Sequence, residues 1–195
     1  MPVDLVPGFV AAWERVGGTA HVVSGLPEAR RAIHSIVTQA ALDTAVAWDS
    51  PVLAALDLPA LFRWYRTPGA PDGPESFKSA CAQAGVGITT AALGTADTGS
   101  LLLPFGGTRP RSVLILPPVW IAVVPAQRLV AGRAELFAHM GALAKSGRPP
   151  TEMGLATGPS RTGDIEGILL QGIHGPGVAH AIIVEAVDVS SQNQV

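Results

Sequence analysis

Residues 20–48, AHVVSGLPEARRAIHSIVTQAALDTAVAW, decide the fold of this chain. Short runs of β-branched and small residues at 20–23 and 44–48 predict two strands. Between them, Pro27 suits the first turn of a helix, and the apolar residues that follow recur at helical spacing. These residues are Ile33, Ile36, Val37 and Ala40. A strand, a helix and a strand with short connections form a βαβ unit, so we expect parallel strands and a right-handed crossover.

The flanking segments continue this alternation. Apolar residues within 6–16 lie on one face of a predicted helix that ends at Gly17 and Gly18. They are Val6, Phe9, Val10, Trp13 and Val16. Further strands are predicted at 86–89, 100–103, 113–116, 119–124, 153–157 and 180–187. Helices are predicted at 130–145 and directly after the loop 158–162.

The remaining segments indicate an exposed loop at 68–75, which is dense in proline, glycine and aspartate, and a polar tail at 190–195. We expect one domain over residues 1–195, with the first helix and the βαβ unit within 1–66. The alternation of strands and helices predicts the α/β class with a mostly parallel sheet.

Composition excludes several classes of function. The sequence has 195 residues, a formal net charge of −2 and a single cysteine, Cys81. One thiolate cannot form an internal disulfide or hold an iron–sulfur cluster or a structural zinc ion. We therefore expect no cofactor, no metal site and a reducing, cytoplasmic setting. Scattered arginines and the lack of a signal peptide or an uninterrupted apolar span predict no nucleic-acid partner and no membrane association.

The segment 158–166 places turn formers, hydroxyls and an arginine between a predicted strand and a predicted helix. Loops of this kind bind ligands in open α/β sheets, because backbone N–H groups and the helix dipole face outward. The candidate ligand-binding residues are Gly158, Ser160, Arg161, Thr162 and Asp164. We expect the Arg161 guanidinium to project over the carboxyl edge of the sheet, where it can bind a carboxylate or phosphate bidentately. Acidic residues in a first helical turn also cap the helix and repel phosphate, so a well-capped turn without a ligand is equally consistent with this composition.

The segment 94–100 ends in Asp97-Thr98-Gly99-Ser100, a string that also occurs at the catalytic aspartates of aspartic proteases. Only one copy is present and the surrounding pattern is not all-β, so the protease interpretation is disfavoured. Thr98, Gly99 and Ser100 are further candidate ligand-binding residues. We expect this turn to lie at the same edge as Arg161 if the strands before the two segments are parallel neighbours. The Gly85-Val86-Gly87 string lacks the third glycine of a dinucleotide-binding loop, and no Walker motif occurs. His174 lies in a predicted turn between glycines, where its imidazole is free to contact a ligand.

Four sequence blocks, in their order along the chain, resemble the signature blocks of the LUD domain family, of the lactate utilisation protein C type. They are ADTGSL at 96–101, LPPVWIAVV at 116–124, GPSRTGDIE at 158–166 and GIHGP at 172–176. The blocks fall within residues 85–185, whereas the N-terminal half matches only in its general helix and βαβ character.

The resemblance implies a fold similar to sugar-phosphate isomerases and CoA transferases, with a mostly parallel sheet flanked by helices and ligands at the carboxyl ends of strands. It also implies a role in oxidising L-lactate to pyruvate beside partner proteins, one of which carries iron–sulfur clusters. Members of the family often have Glu where Asp97 stands and His where Trp120 stands. We expect Trp120 to pack beside Pro118 rather than to do chemistry.

Two hypotheses follow for the function. In the first, the chain is an accessory subunit of a lactate-oxidising system that binds a small anionic ligand through Ser160, Arg161 and Thr162. In the second, it is a free-standing enzyme of the isomerase or acyl-transferase kind, with Asp97 or Glu166 as the general base and Arg161 as an anion clamp.

Overall fold

Six parallel strands form the central sheet of the computed structural model, which describes residues 4–69, 73–165 and 168–187. The strand order is β1-β12-β7-β4-β2-β3, and every neighbouring pair is parallel. The strands are β1 (Thr19–Gly25), β2 (Thr44–Ala47), β3 (Trp64–Arg66), β4 (Val86–Thr90), β7 (Val119–Pro125) and β12 (Val178–Ala186). Strands β4 and β7 lie inside the sheet, which agrees with their near-continuous apolar sequences. The predicted α/β fold is confirmed.

The predicted βαβ unit is present, although its strands are not neighbours. Helix α2 (Leu26–Gln39) follows β1 and turns Ala29, Ile33, Ile36 and Val37 into the core. Strands β1 and β2 are parallel members of one sheet, but β12, β7 and β4 lie between them. Local spacing predicts elements and their direction, whereas strand order depends on pairing between distant segments.

A second, four-stranded sheet has the order β8-β5-β6-β9. Its strands are β5 (Leu93–Thr95), β6 (Leu101–Phe105), β8 (Leu129–Val130) and β9 (Glu152–Ala156). Helix α6 (Arg133–Ala144) covers it, because Leu136 and Leu143 pack with Leu93 and Leu102 in a small separate core. The sequence pattern did not separate these strands from those of the central sheet.

The other helices are α1 (Val6–Arg15), α3 (Pro51–Ala54), α4 (Gly73–Gln83) and α5 (Ser112–Ile115). The predicted stripe of α1 is confirmed, since Phe9 and Trp13 are fully buried. Trp13 contacts the ring of Trp120, which is also fully buried and donates a hydrogen bond from Nε1 to Thr89 Oγ1 at 2.9 Å. Trp120 is therefore a core residue. No helix in the described part of the chain is long and apolar enough to cross a membrane.

Two predicted elements differ from the structure. Residues 113–116 form helix α5 and a turn rather than a strand, because Pro110 and Pro117 leave room for only one helical turn between them. The helix predicted after 158–162 is instead the antiparallel hairpin of β10 (Arg161–Ile165) and β11 (Ile168–Gln171). Gly163 disfavours a helix there, and the apolar run of β11 pairs with β10.

The predicted loop 68–75 ends earlier than expected, because α4 begins at Gly73, and residues 70–72 lie outside the described residues. The predicted tail at 190–195 also lies outside them. The strands predicted at 86–89, 100–103, 119–124, 153–157 and 180–187 are present with small shifts of their ends.

Because all strands of the central sheet are parallel, they begin on one side of the sheet and end on the other. We call the side where the strands begin the "amino edge"; it lies next to Gly17 and Pro118. We call the side where they end the "carboxyl edge"; it lies next to Trp48, Ala91 and Pro125. Ligands in open parallel sheets bind at the carboxyl edge, so the edge on which a side chain lies bears on its function.

Candidate functional site

Arg161 lies at the amino edge of the central sheet. It begins β10, and its guanidinium occupies the space beside Gly17, directly before β1. The expectation that Arg161 projects over the carboxyl edge is wrong. The preceding strand, β9, belongs to the small sheet, so the loop after it does not follow a strand of the parallel sheet.

Ser160 joins the two glycine-rich blocks at this edge. Its backbone N–H donates to the carbonyl of Pro176 at 2.9 Å, and its own carbonyl accepts from Gly172 N–H at 2.9 Å. His174 is exposed within the same loop. These bonds fix the 158–162 and 172–176 segments against each other, which is a structural role.

The other predicted residues of this block are distributed along the hairpin and its approach. Gly158 has φ 75° and packs against Val16. Thr162 pairs with Leu170, and the backbone of Asp164 lies in β10. Glu166 lies outside the described residues.

The turn between β5 and β6 holds the remaining predicted residues. Asp97 Oδ2 lies 3.6 Å from Arg133 Nε, and the Asp97 backbone N–H donates to the carbonyl of Ala131. Thr98 Oγ1 lies 2.7 Å from Thr95 Oγ1 and 2.8 Å from Ser100 Oγ. These polar side chains thus have partners within the fold.

Ser100 also connects this turn to the 158–162 loop. Its Oγ lies 2.8 Å from Thr157 Oγ1, because the antiparallel pairing of β6 with β9 places Leu101 opposite Ala156. The two predicted segments thus lie together as expected, but antiparallel pairing in the small sheet is the cause, not the parallel neighbouring strands that the prediction required.

The carboxyl edge carries a cavity of about 240 Å³ that sequence reasoning missed. It lies where the adjacent strands β2, β4 and β7 end. Its lining comprises residues 48–52 and 90–92 together with Pro104, Thr108, Arg109, Pro125, Arg128 and His139. Two arginines and a histidine therefore line one cavity at the edge where parallel sheets bind ligands.

A tight turn positions Arg109. Gly106 and Arg109 exchange two backbone hydrogen bonds of 3.2 and 3.0 Å, and the positive φ values of Gly106 and Gly107 allow this reversal. The Arg109 side chain is half-buried, and burial lowers the pKa of its guanidinium, which remains charged at neutral pH. Within the described ranges, it has no hydrogen-bond or ion-pair partner.

Arg128 and His139 reach the cavity from the other side. Arg128 ends a 3-10 turn that follows β7, and the neighbouring Gln127 anchors this turn by donating to the carbonyl of Glu185 at 2.6 Å. His139 lies on α6, between the buried residues Leu136 and Leu143. Burial, and secondarily the charge of Arg128, lower the pKa of His139, so its imidazole is neutral at neutral pH.

Asp49 is the one carboxylate in the described lining. It is exposed, and its backbone N–H and C=O are both bonded to Thr108, which ties the end of β2 to the loop that carries Arg109. Burial, with a smaller contribution from the Asp49 charge, raises the pKa of Tyr65 to about 12. Two arginines in one concave site with a single exposed carboxylate are suited to bind an anion.

The sequence offered only a weak signal for this site. Arg109 follows a Gly-Gly turn and Arg128 follows the most apolar strand, which are positions where parallel sheets expose functional groups. Among the described residues, no group of three or more His, Cys, Asp or Glu side chains is close enough to hold a metal ion.

The fold defines an α/β protein with a parallel sheet and a cleft at its carboxyl edge. Residues 6–184 match the family model of the LUD domain, so the chain belongs to the LUD domain family. The family resemblance of the four sequence blocks is confirmed.

Relatives with curated names support this assignment. The lactate utilization protein C of Halalkalibacterium halodurans is 30% identical over 162 residues, which is 80% of this chain and 68% of that protein. Its counterpart in Macrococcus caseolyticus is 34% identical over 145 residues, which is 72% of this chain and 61% of that protein. The match to the Shouchella clausii protein spans only 44% of that relative's length. The chain thus covers about half to two thirds of these relatives.

A solved structure shares the fold. The crystal structure of a DUF162 family protein from Deinococcus radiodurans superposes with a TM-score of 0.65 and covers 93% of this chain and 96% of that one. Its sequence is 19% identical, so the likeness concerns the fold alone.

Proposed function

We propose that this chain takes part in lactate utilisation, as a subunit that binds a small anionic ligand while iron–sulfur partner proteins oxidise L-lactate to pyruvate. The names of its relatives support the metabolic context. The single observation that carries the ligand-binding part is the pair of arginines, Arg109 and Arg128, that face one cavity at the carboxyl edge.

The cysteine content supports a subunit without its own cluster. Cys81 is the only cysteine in the sequence, and it is buried with its thiol 3.4 Å from Ser112 Oγ. Burial raises the pKa of this thiol, which disfavours the thiolate form that binds iron. Under this proposal, any iron–sulfur cluster that accepts electrons from lactate belongs to a partner protein.

The alternative, a free-standing isomerase or acyl-transferase, needs a carboxylate base beside the ligand. Asp97, predicted for that role, is paired with Arg133 and lies outside the cavity lining. Glu166, the other predicted base, lies outside the described residues, and Asp49 is the carboxylate in the described lining. The enzyme hypothesis therefore requires Asp49 as its base, whereas the subunit hypothesis requires none.

Deletion of the gene in the native host tests the proposed role. We expect loss of growth on L-lactate as the sole carbon source, unchanged growth on glucose, and recovery with the reintroduced gene. A tagged chain purified anaerobically from cells grown on L-lactate should bring down iron–sulfur proteins. Undiminished growth of the deletion strain on L-lactate would contradict the proposal.

A further inference from the structure

We propose that the ligand of the carboxyl-edge cavity carries two acidic groups on a short chain, one bound by Arg109 and the other by Arg128. The inference rests on the proposed function only in taking this cavity as the ligand site. It narrows the ligand from any small anion to a diacid.

The two arginines belong to opposite sides of the cavity. Arg109 lies in a loop that is held at the end of β2 by the hydrogen bond from Thr108 Oγ1 to the carbonyl of Asp49. Arg128 instead lies in the turn that follows β7. Strand β4 separates β2 from β7. Arg109 and Arg128 therefore reach the cavity from either side of β4. A molecule with two acidic groups offers each guanidinium its own charge-assisted partner.

The charges in the lining support a ligand of this kind. Neither guanidinium has a carboxylate partner among the described residues, so both retain their capacity for bidentate binding. Asp49 is exposed, and solvent therefore screens its repulsion of a bound anion. His139 beside Arg128 is neutral in the free protein, and it can take up a proton to balance a second negative charge.

The size of the cavity suits a small ligand. Its volume of about 240 Å³ lies just below the range of roughly 300–1,000 Å³ that is typical of small-molecule sites. A short-chain diacid suits this space. Dicarboxylates and phosphorylated carboxylic acids share the required chemistry.

Calorimetric titration of the purified full chain tests the inference. The probes are acetate and L-lactate as monoacids, malonate and succinate as dicarboxylates, and phosphoglycolate as a phosphorylated acid. We expect at least one diacid to bind about tenfold or more tightly than either monoacid, because a second charge-assisted pair forms. Tighter binding of succinate would identify the second acidic group as a carboxylate, and tighter binding of phosphoglycolate would identify it as a phosphate.

Single-residue variants test whether both arginines bind an acidic group of the ligand. Arg109→Gln and Arg128→Gln should each weaken diacid binding about tenfold or more and abolish the preference over monoacids. Arg161→Gln, at the amino edge, is the matched control and should leave binding unchanged. Thermal unfolding of each variant confirms that it is folded.

The inference is overturned if no diacid binds, if monoacids bind as tightly as diacids, or if Arg161→Gln weakens binding as much as Arg109→Gln. These outcomes are distinct from failure of the proposed function. Suppose that growth on L-lactate requires the gene but that the purified protein shows no preference for diacids. These two results together would refute the ligand inference and leave the proposed metabolic role intact.

Discussion

Arg109 and Arg128 line the same cavity from opposite sides of β4, at the carboxyl edge of the parallel sheet. The arrangement follows from topology, because a parallel sheet brings the ends of β2, β4 and β7 to one edge although they are distant in sequence. Arg161 lies beside Gly17 at the opposite edge. The cationic cleft thus lies at the opposite edge from the glycine-rich loops at 158–162 and 172–176.

His139 should make ligand binding depend on pH. A bound diacid adds negative charge beside an imidazole whose pKa in the free protein is held below 6.5 by burial and by Arg128. Arg109 and Asp49 line the same cavity. The carboxylate of Glu135, one turn away on α6, accepts a hydrogen bond from Gly132 N–H. The ligand raises the pKa of His139, so binding takes up a proton and tightens as the pH falls through the region around that value.

Calorimetric titration with succinate across this pH range measures the effect. The His139→Gln variant is the control, since it retains the titration of the ligand itself and removes that of the imidazole. An identical pH dependence in the two proteins would remove His139 from the site.

Replacement of Gly99 by alanine should destabilise the fold strongly. Gly99 has φ 66°, and an added Cβ would lie 2.6 Å from the backbone nitrogen of Trp13. Backbone on both sides prevents relief, so we expect a loss of roughly 3 kcal/mol in the free energy of unfolding. Gly107→Ala is matched in its φ of 54° but meets no atom within 4 Å, and it should cost about 1 kcal/mol. Equal losses in urea denaturation would show that close packing on α1 contributes nothing.

The His21 and His180 pair should make the fold sensitive to acid. His21 Nε2 lies 3.2 Å from His180 Nδ1, and burial, with the neighbouring His21, lowers the pKa of His180 to about 4. Between its ordinary value of 6.5 and about 4, the unfolded chain binds more protons than the folded chain. The free energy of unfolding should therefore fall as the pH drops through this window.

Urea denaturation of His180→Gln beside the wild type isolates this contribution, because carboxylates titrate equally in both proteins. The variant should lose part of the decline in stability with falling pH, whereas His34→Gln, at an exposed position, should retain all of it. The account of the pair fails if both variants keep the wild-type dependence.

Asp97→Asn should have little effect. The ion pair with Arg133 is solvent-exposed, with side-chain exposures of 37% for Asp97 and 72% for Arg133, and such pairs contribute under about 1 kcal/mol. We expect a change of that size in the free energy of unfolding, a similar change for Arg133→Gln, and unchanged diacid affinity. Loss of ligand binding in Asp97→Asn would restore the hypothesis that this carboxylate acts at the site.

Elements with strong local patterns could be predicted from the sequence. The stripe of Phe9 and Trp13 and the apolar run of β7 form a helix and a strand as expected, because side-chain periodicity reflects the face that is buried. Other features depend on how strands pair, which local spacing does not specify. They are the pairing of β6 with β9, the hairpin of β10 and β11, and the position of β12 between β1 and β7. No local pattern encodes these contacts.

The site shows the same limit. The sequence pattern indicates an anion-binding arginine in a glycine-rich loop, and it favours Arg161 because glycine and hydroxyl residues surround it. Whether a loop lies at the amino or the carboxyl edge depends on the sheet to which its preceding strand belongs. Strand β9 joins the small sheet, and that non-local choice places Arg161 away from the cavity that Arg109 and Arg128 line.

An NMR titration of the isotope-labelled chain with the diacid that binds most tightly tests the central claim most directly, because it locates the ligand at individual backbone amides. We predict that the largest shift changes occur at 90–92, Arg109 and Arg128, around the carboxyl-edge cavity, while 158–162 and 172–176 change little. Shift changes concentrated at 158–162 and 172–176 would place the ligand at the amino edge and contradict the account.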